Sequence, residues 1–195
     1  GATALPVSAD LEKGFGDEPD VVANTIKRAA GVGLAGCSIE DASGGTPPIY
    51  PFDLALERIT AAVEAARSLG RDFVLTARAE NFPHGRPDLD DTIRRLQAFD
   101  AAGADVLYAP GLKDLEQIRT LCAAVSKPVN VVVGLSGMSF SIAQLAEVGV
   151  RRISVGSTLA RLAYGVLIHA GQEMQAGTFG FAGAAAGFAE IEGRL

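Results

Sequence analysis

Cysteine is scarce here, with only two residues, Cys37 and Cys122. Two cysteines make neither a disulfide scaffold nor a zinc-ligand pattern. Cys37 lies inside an apolar run and reads as a core residue, not a nucleophile. Basic charge is also short, with 17 Lys and Arg against 23 Asp and Glu for a net charge of −6. That balance lacks the basic stripe a nucleic-acid surface needs. No stretch is apolar long enough to cross a membrane, and no charged-then-apolar signal opens the chain. The expected compartment is the cytoplasm. What is abundant is apolar residues, at 48 % of 195, enough to bury a real core in one domain covering 1–195.

The chain alternates strands and helices. Apolar segments at 4–7, 34–39, 72–77, 105–108, 128–133 and 152–155 read as strands. Between and after them, 19–30, 53–69, 88–102, 112–126, 138–148 and 158–175 carry helical spacing, followed by a small-residue tail with a terminal helix at 184–191. Val21, Val22, Ile26 and Ala29 share one helical face, and the acids Asp17, Glu18 and Asp20 crowd the start of that helix as N-termini favour. Strict alternation with short linkers predicts an α/β fold with a parallel sheet. Gly14-Phe15-Gly16 is too short and too acidic for a dinucleotide-binding loop, so a (β/α)8 barrel is favoured. The six units read as strands 3–8 of such a barrel plus a C-terminal helical tail, with the first two β/α units lacking.

In a barrel the C-terminal strand ends converge on one site. The first strand runs into Asp10 and Glu12, the second ends in Glu40 and Asp41, and the third in Arg78 and Glu80. If the segment is extended, Asp10 and Glu12 point to the same side, where like charges need a cation or a proton. A surface turn holding two acids would look the same. Asp10, Glu12 and Glu40 together offer hard oxygen ligands suited to Mg²⁺ or Mn²⁺. Arg78 can pair with a substrate carboxylate or phosphate. A divalent ion beside an arginine is what an α-keto acid or its enolate needs.

Asp10-Leu11-Glu12-Lys13-Gly14-Phe15-Gly16, Ser38-Ile39-Glu40-Asp41 and Thr76-Ala77-Arg78-Ala79-Glu80, in this order and spacing, resemble the isocitrate lyase/phosphoenolpyruvate mutase superfamily, and most closely its phosphonomutase-like branch. The resemblance implies a (β/α)8 barrel, with Asp10 as direct metal ligand, Glu12 and Glu40 holding the metal largely through water, and Arg78 gripping substrate. It also implies a homotetramer that exchanges C-terminal helices. Two departures narrow the chemistry. The loop from Ala42 to Tyr50 has no Cys, His or Lys, where the isocitrate lyases carry their acid-base cysteine, and Tyr108-Ala109-Pro110 stands where they place a glutamate.

Other residues read less sharply. Glu80 is an acid-base group or a partner that braces Arg78. Asn130, polar within an apolar strand, contacts substrate or fills the barrel with a hydrogen bond. His84 is a gate or substrate contact, or else an exposed loop residue, His169 is structural, Asp41 braces the loop or a neighbouring strand, and Ser136-Gly137 is a weak anion-binding signal. The expected activity is a Mg²⁺-dependent lyase acting on an α-keto or α-hydroxy carboxylic acid through a metal-stabilised enolate, with C–C cleavage. A phosphonate P–C mutase or hydrolase, or a keto-acid binding protein with little catalysis, are the alternatives.

Overall fold

The structure is a computed structural model, and it describes residues 3–134 and 140–194. The chain divides into two compact units, 1–154 and 155–195. The first unit alternates β1 (Ser8–Asp10), α1 (Pro19–Gly31), β2 (Gly36–Glu40), α2 (Phe52–Arg67), β3 (Val74–Arg78), α3 (Leu89–Ala102), β4 (Val106–Tyr108), α4 (Leu115–Ala124), β5 (Val129–Val132), α5 (Ile142–Glu147) and β6 (Arg152–Ser154). The six strands form one parallel sheet in sequence order, as the expected run of β/α units requires. The second unit holds α6 (Thr158–Gln175), a 3₁₀ turn (Gly180–Ala184) and α7 (Phe188–Glu192).

Strand alternation sets what each face of the sheet carries. Cys37, Ile39, Leu75, Ala77, Leu107, Val129 and Val131 join the core, where Val22, Ile26, Ile59, Leu96, Phe99, Ile118 and Leu121 of the helices meet them. Residues of the opposite parity stay in register along the other face, in the row Glu40, Arg78, Tyr108, Asn130, Arg152. That face is curled, since Arg152 of β6 reaches Thr76 of β3, Nη1 to Oγ1, at 3.4 Å. At Gly36 a Cβ would stand 2.4 Å from the Val74 carbonyl oxygen, so only glycine lets β2 approach β3 there.

Element ends follow local chemistry. The strand expected at 4–7 lies at Ser8–Asp10 instead; Pro6 has no N–H to give a ladder, and Val7 contributes only its carbonyl, to Ala35 N–H at 2.8 Å. The helix expected from 112 begins at Leu115, because Asp114 caps it by accepting from Gln117 N–H at 2.8 Å. Ser141 and Gln144 form a reciprocal capping box that starts α5; Met138 and the Ser136-Gly137 pair lie outside the described residues. The tail helix is displaced to Phe188–Glu192, with Gly187 before it. His169 sits on α6 with Nε2 3.1 Å from Glu173 Oε1, an i,i+4 pair.

Candidate active site

Arg78, the last residue of β3, is the centre of the strand-end cluster. Its Nη1 lies 2.7 Å from Asp10 Oδ2, its Nη2 3.0 Å from Glu40 Oε2 and its Nε 2.9 Å from Glu80 Oε1. The guanidinium also stands 5.0 Å from the centroid of the Tyr108 ring, a cation–π contact. Every nitrogen of this side chain thus meets a carboxylate, from three different strand ends. The structure brings the strand-end carboxylates of Asp10, Glu40 and Glu80 together on Arg78, with Glu80 meeting its Nε directly.

Asp10 and Glu12 do not share an extended segment. The chain leaves β1 at Asp10 and turns left-handed, with φ of 50° at Glu12, 82° at Gly14 and 64° at Phe15. Asp10 Oδ1 accepts from the Glu12 N–H and from Ser38 Oγ, both at 3.1 Å. The period-2 argument fails because the turn begins one residue before Glu12. Glu12 is still kept at the site through its carbonyl, which accepts from Glu40 N–H at 3.0 Å.

Electrostatics separate the acids. Glu40, with 15 % of its side chain exposed, has its carboxyl pushed up to about 7. Burial is the main cause; Arg78 opposes it, and the charges of Glu80, Asp10 and Glu12 add to it. Asp10 shares the same arginine yet shifts the other way. Its burial penalty is outweighed by Arg78 and by the bonds from Glu12 and Ser38, because 61 % of its side chain meets water. Glu80 is raised by burial despite its bond to Arg78.

Behind the cluster, Asp41 braces the end of the neighbouring strand β3 and the helix α3. Its Oδ1 accepts from Glu80 N–H at 2.7 Å and its Oδ2 from Arg95 Nη1 at 3.0 Å, and both side chains are buried. Arg95 also donates to Asp91 Oδ2 at 2.9 Å and to the Tyr50 carbonyl at 3.0 Å. Asn130 is buried two strands from Arg78, with Nδ2 donating to Ser154 Oγ at 3.0 Å and Oδ1 unpartnered among the described residues. His84 is exposed on the β3–α3 loop, tied by its N–H to the Glu80 carbonyl at 3.4 Å; the structure does not bring it into the carboxylate cluster.

Among the described residues no group of three or more His, Cys, Asp or Glu is arranged to hold a metal ion; the oxygens of Asp10 and Glu40 are turned onto Arg78. The donor chemistry nevertheless fits a hard divalent cation. Asp10, Glu12 and Glu40 are oxygen-only donors, and the charges of Glu80, Asp10 and Glu12 that add to the burial of Glu40 are ones such an ion would relieve.

Residues 1–175 match the model of the phosphoenolpyruvate phosphomutase family. A solved structure of a candidate lyase/mutase from Burkholderia cenocepacia J2315 is 56 % identical, with a TM-score of 0.93, over 96 % of this chain and 68 % of that one. An oxaloacetate acetylhydrolase solved with its product oxalate is 28 % identical, with a TM-score of 0.80, over 90 % of this chain and 62 % of that one. The oxaloacetate decarboxylase of Paraburkholderia xenovorans (strain LB400) is 31 % identical over 160 residues, 78 % of this chain and 50 % of that protein. The chain spans about half the length of the curated relatives it matches.

Proposed function

The chain belongs to the phosphoenolpyruvate phosphomutase family, and from that membership we propose that it acts as a lyase-type enzyme on an α-keto or α-hydroxy dicarboxylic acid, cleaving a C–C bond. The observation that carries the reading is Arg78 held by Asp10, Glu40 and Glu80 at 2.7, 3.0 and 2.9 Å. Asp10, Glu12 and Glu40 would hold Mg²⁺ or Mn²⁺. When bound, the ion supplies Lewis-acid polarisation of a substrate oxygen and neutralises developing negative charge.

The chain's own residues do the rest. Arg78 offers a planar fork of donors to a substrate carboxylate, in exchange for the carboxylates it now pairs with. Glu80 fixes the guanidinium plane through Nε, and the Tyr108 ring supports its face. The Asp41–Arg95 pair anchors Glu80 through its main chain, so the arginine is oriented before substrate arrives. Asn130, with half of its amide unpartnered, offers a polar group on the same face.

The loop Ala42–Tyr50 supplies no Cys, His or Lys, so no side-chain base comes from it. That favours a substrate whose bond breaks without such a base, such as an oxaloacetate-like β-keto diacid. The names of the relatives support the same class, since one is an oxaloacetate decarboxylase and another an oxaloacetate acetylhydrolase.

The test is turnover of the full-length protein with oxaloacetate, 2-oxoglutarate and a phosphonopyruvate comparator, with Mg²⁺ or EDTA. Metal-dependent loss of the diacid above its spontaneous decay, reduced at least 100-fold in Arg78→Met, is expected. Thermal stabilisation by the diacid without turnover would make the protein a binder. Turnover of the phosphonate alone would move the reaction to P–C chemistry.

A further inference from the structure

We propose that Arg58 is a positioning residue for the candidate site, a buried clamp from α2 that holds the loop after β1 in the shape that presents Asp10 and Glu12. The proposal rests on the reading of those carboxylates as ion ligands.

Arg58 is 1 % exposed. Its Nη1 donates to the Gly16 carbonyl at 2.8 Å and also to the Asp17 carbonyl, and its Nη2 donates to the Lys13 carbonyl. Three main-chain oxygens of one short loop therefore converge on one guanidinium. Nε is left without a partner among the described residues, so the fork is aimed at the loop even at the cost of a buried N–H. The guanidinium lies 4.3 Å from the Tyr50 ring centroid. Tyr50 in turn donates its hydroxyl to Asp17 Oδ1 at 2.6 Å. Lys13 adds an outer tie, with Nζ 2.7 Å from Asp17 Oδ1 and 2.9 Å from the Ser43 carbonyl.

The loop needs such a clamp. Glu12 and Phe15 both sit in the left-handed region, which non-glycine residues leave unless their surroundings hold them. Phe15 does not anchor the loop by burial, since its side chain is 71 % exposed. Helix α2 packs along α1, so the donor is carried by a rigid element. A lysine could not replace it, because a point charge cannot meet three oxygens in one plane as a guanidinium does.

The test compares Arg58→Lys and Arg58→Met with the unaltered full-length protein. Amide hydrogen exchange is read at Gly14, whose N–H donates to Leu11 at 2.8 Å, and at Glu40, whose N–H donates to Glu12 at 3.0 Å. Leu107, bonded to the Pro128 carbonyl at 2.9 Å, reports the core. Exchange at Gly14 and Glu40 should rise at least tenfold with Leu107 unchanged. Mn²⁺ affinity by electron paramagnetic resonance should fall at least tenfold, with no further fall in an Asp10→Ala background. A merely structural role would raise exchange at all three amides together and overturn the proposal, as would unchanged loop exchange or unchanged Mn²⁺ affinity. Should Arg58→Met fail to fold, Arg58→Lys and Tyr50→Phe carry the same comparison. If the unaltered protein binds no Mn²⁺, the ion-site reading falls and the link to the site falls with it, while the exchange arm still decides whether the clamp exists.

Discussion

Metal-free protein should lose stability as pH rises from about 4.5 to 7, with Glu40 supplying a share of the loss beside the other raised carboxyls, Glu80 and Asp41. In the folded chain its carboxyl is pushed from 4.5 to about 7. Between those values the native state binds the proton and the unfolded chain does not, so the slope of stability with pH is negative. At 1.36 kcal/mol per pH unit, the full window is worth about 3 kcal/mol. The groups facing Glu40 are Asp10 and Glu12 from the first strand end and Arg78, Glu80 and Tyr108 from the next two. Asp10 is lowered, so it is ionised in both states through this window and adds no slope. Urea unfolding in EDTA at several pH values, on the protein and on Glu40→Gln, isolates the contribution. The variant should lack about 3 kcal/mol of the decline. Parallel curves for the two proteins would refute the reasoning, because the burial of Glu40 and the neighbouring acid charges would then carry no free energy.

Three further outcomes follow from other contacts. Asp41→Ala leaves Arg95 buried with Asp91 as its remaining ion partner and strips the Glu80 N–H of its acceptor, which should cost about 3 kcal/mol in urea unfolding; Asp41→Asn, which keeps an acceptor, should cost clearly less. Cys37 is fully buried and its thiol is pushed up to about 12 by burial and then by Asp10, so iodoacetamide at pH 8 should alkylate it only on unfolding, as intact-mass measurement would report. Gly36→Ala would drive a Cβ into the Val74 carbonyl and should lower stability by about 2 kcal/mol; a neutral effect on thermal unfolding would mean that β2 and β3 separate freely.

The parts of the site that the sequence displays are those where residue type and strand end coincide. Asp10, Glu40 and Arg78 each close a strand, with Glu80 two residues beyond the last, and parallel strands ending on one side must bring them together. Arg58 and Arg95 carry no such mark. In an amphipathic helix an arginine reads as part of the solvated face, yet both are buried. The oxygens that Arg58 meets are main-chain groups of Lys13, Gly16 and Asp17, and a carbonyl leaves no trace in the residue type. The geometry of Glu12 was hidden for a related reason. Alternation of side chains holds only while the backbone is extended, and a left-handed turn at a glutamate is not a conformation its residue type advertises. Tyr108 is marked in the sequence only by standing where the isocitrate lyases place a glutamate; its place beside Arg78 comes from the register.

The charge balance of the cluster ties these observations together. Asp10, Glu40 and Glu80 all pair with Arg78, and Glu12 adds its charge to Glu40, leaving an excess of acid at these strand ends. Arg78 cannot satisfy both this excess and an incoming dianion. If the arginine turns to substrate, its three carboxylates lose their counter-charge, and Glu40 and Glu80, both largely buried, have little water to replace it. The proposed divalent ion resolves the conflict, since it would take over Asp10, Glu12 and Glu40 and free two of the three arms of Arg78 while Glu80 keeps the third. Ion and diacid should therefore bind cooperatively. Each would raise the affinity of the other by the same factor, which isothermal titration of oxalate with and without Mg²⁺ can measure. Independent binding would mean that Arg78 does not exchange partners, and the substrate would have to be held elsewhere.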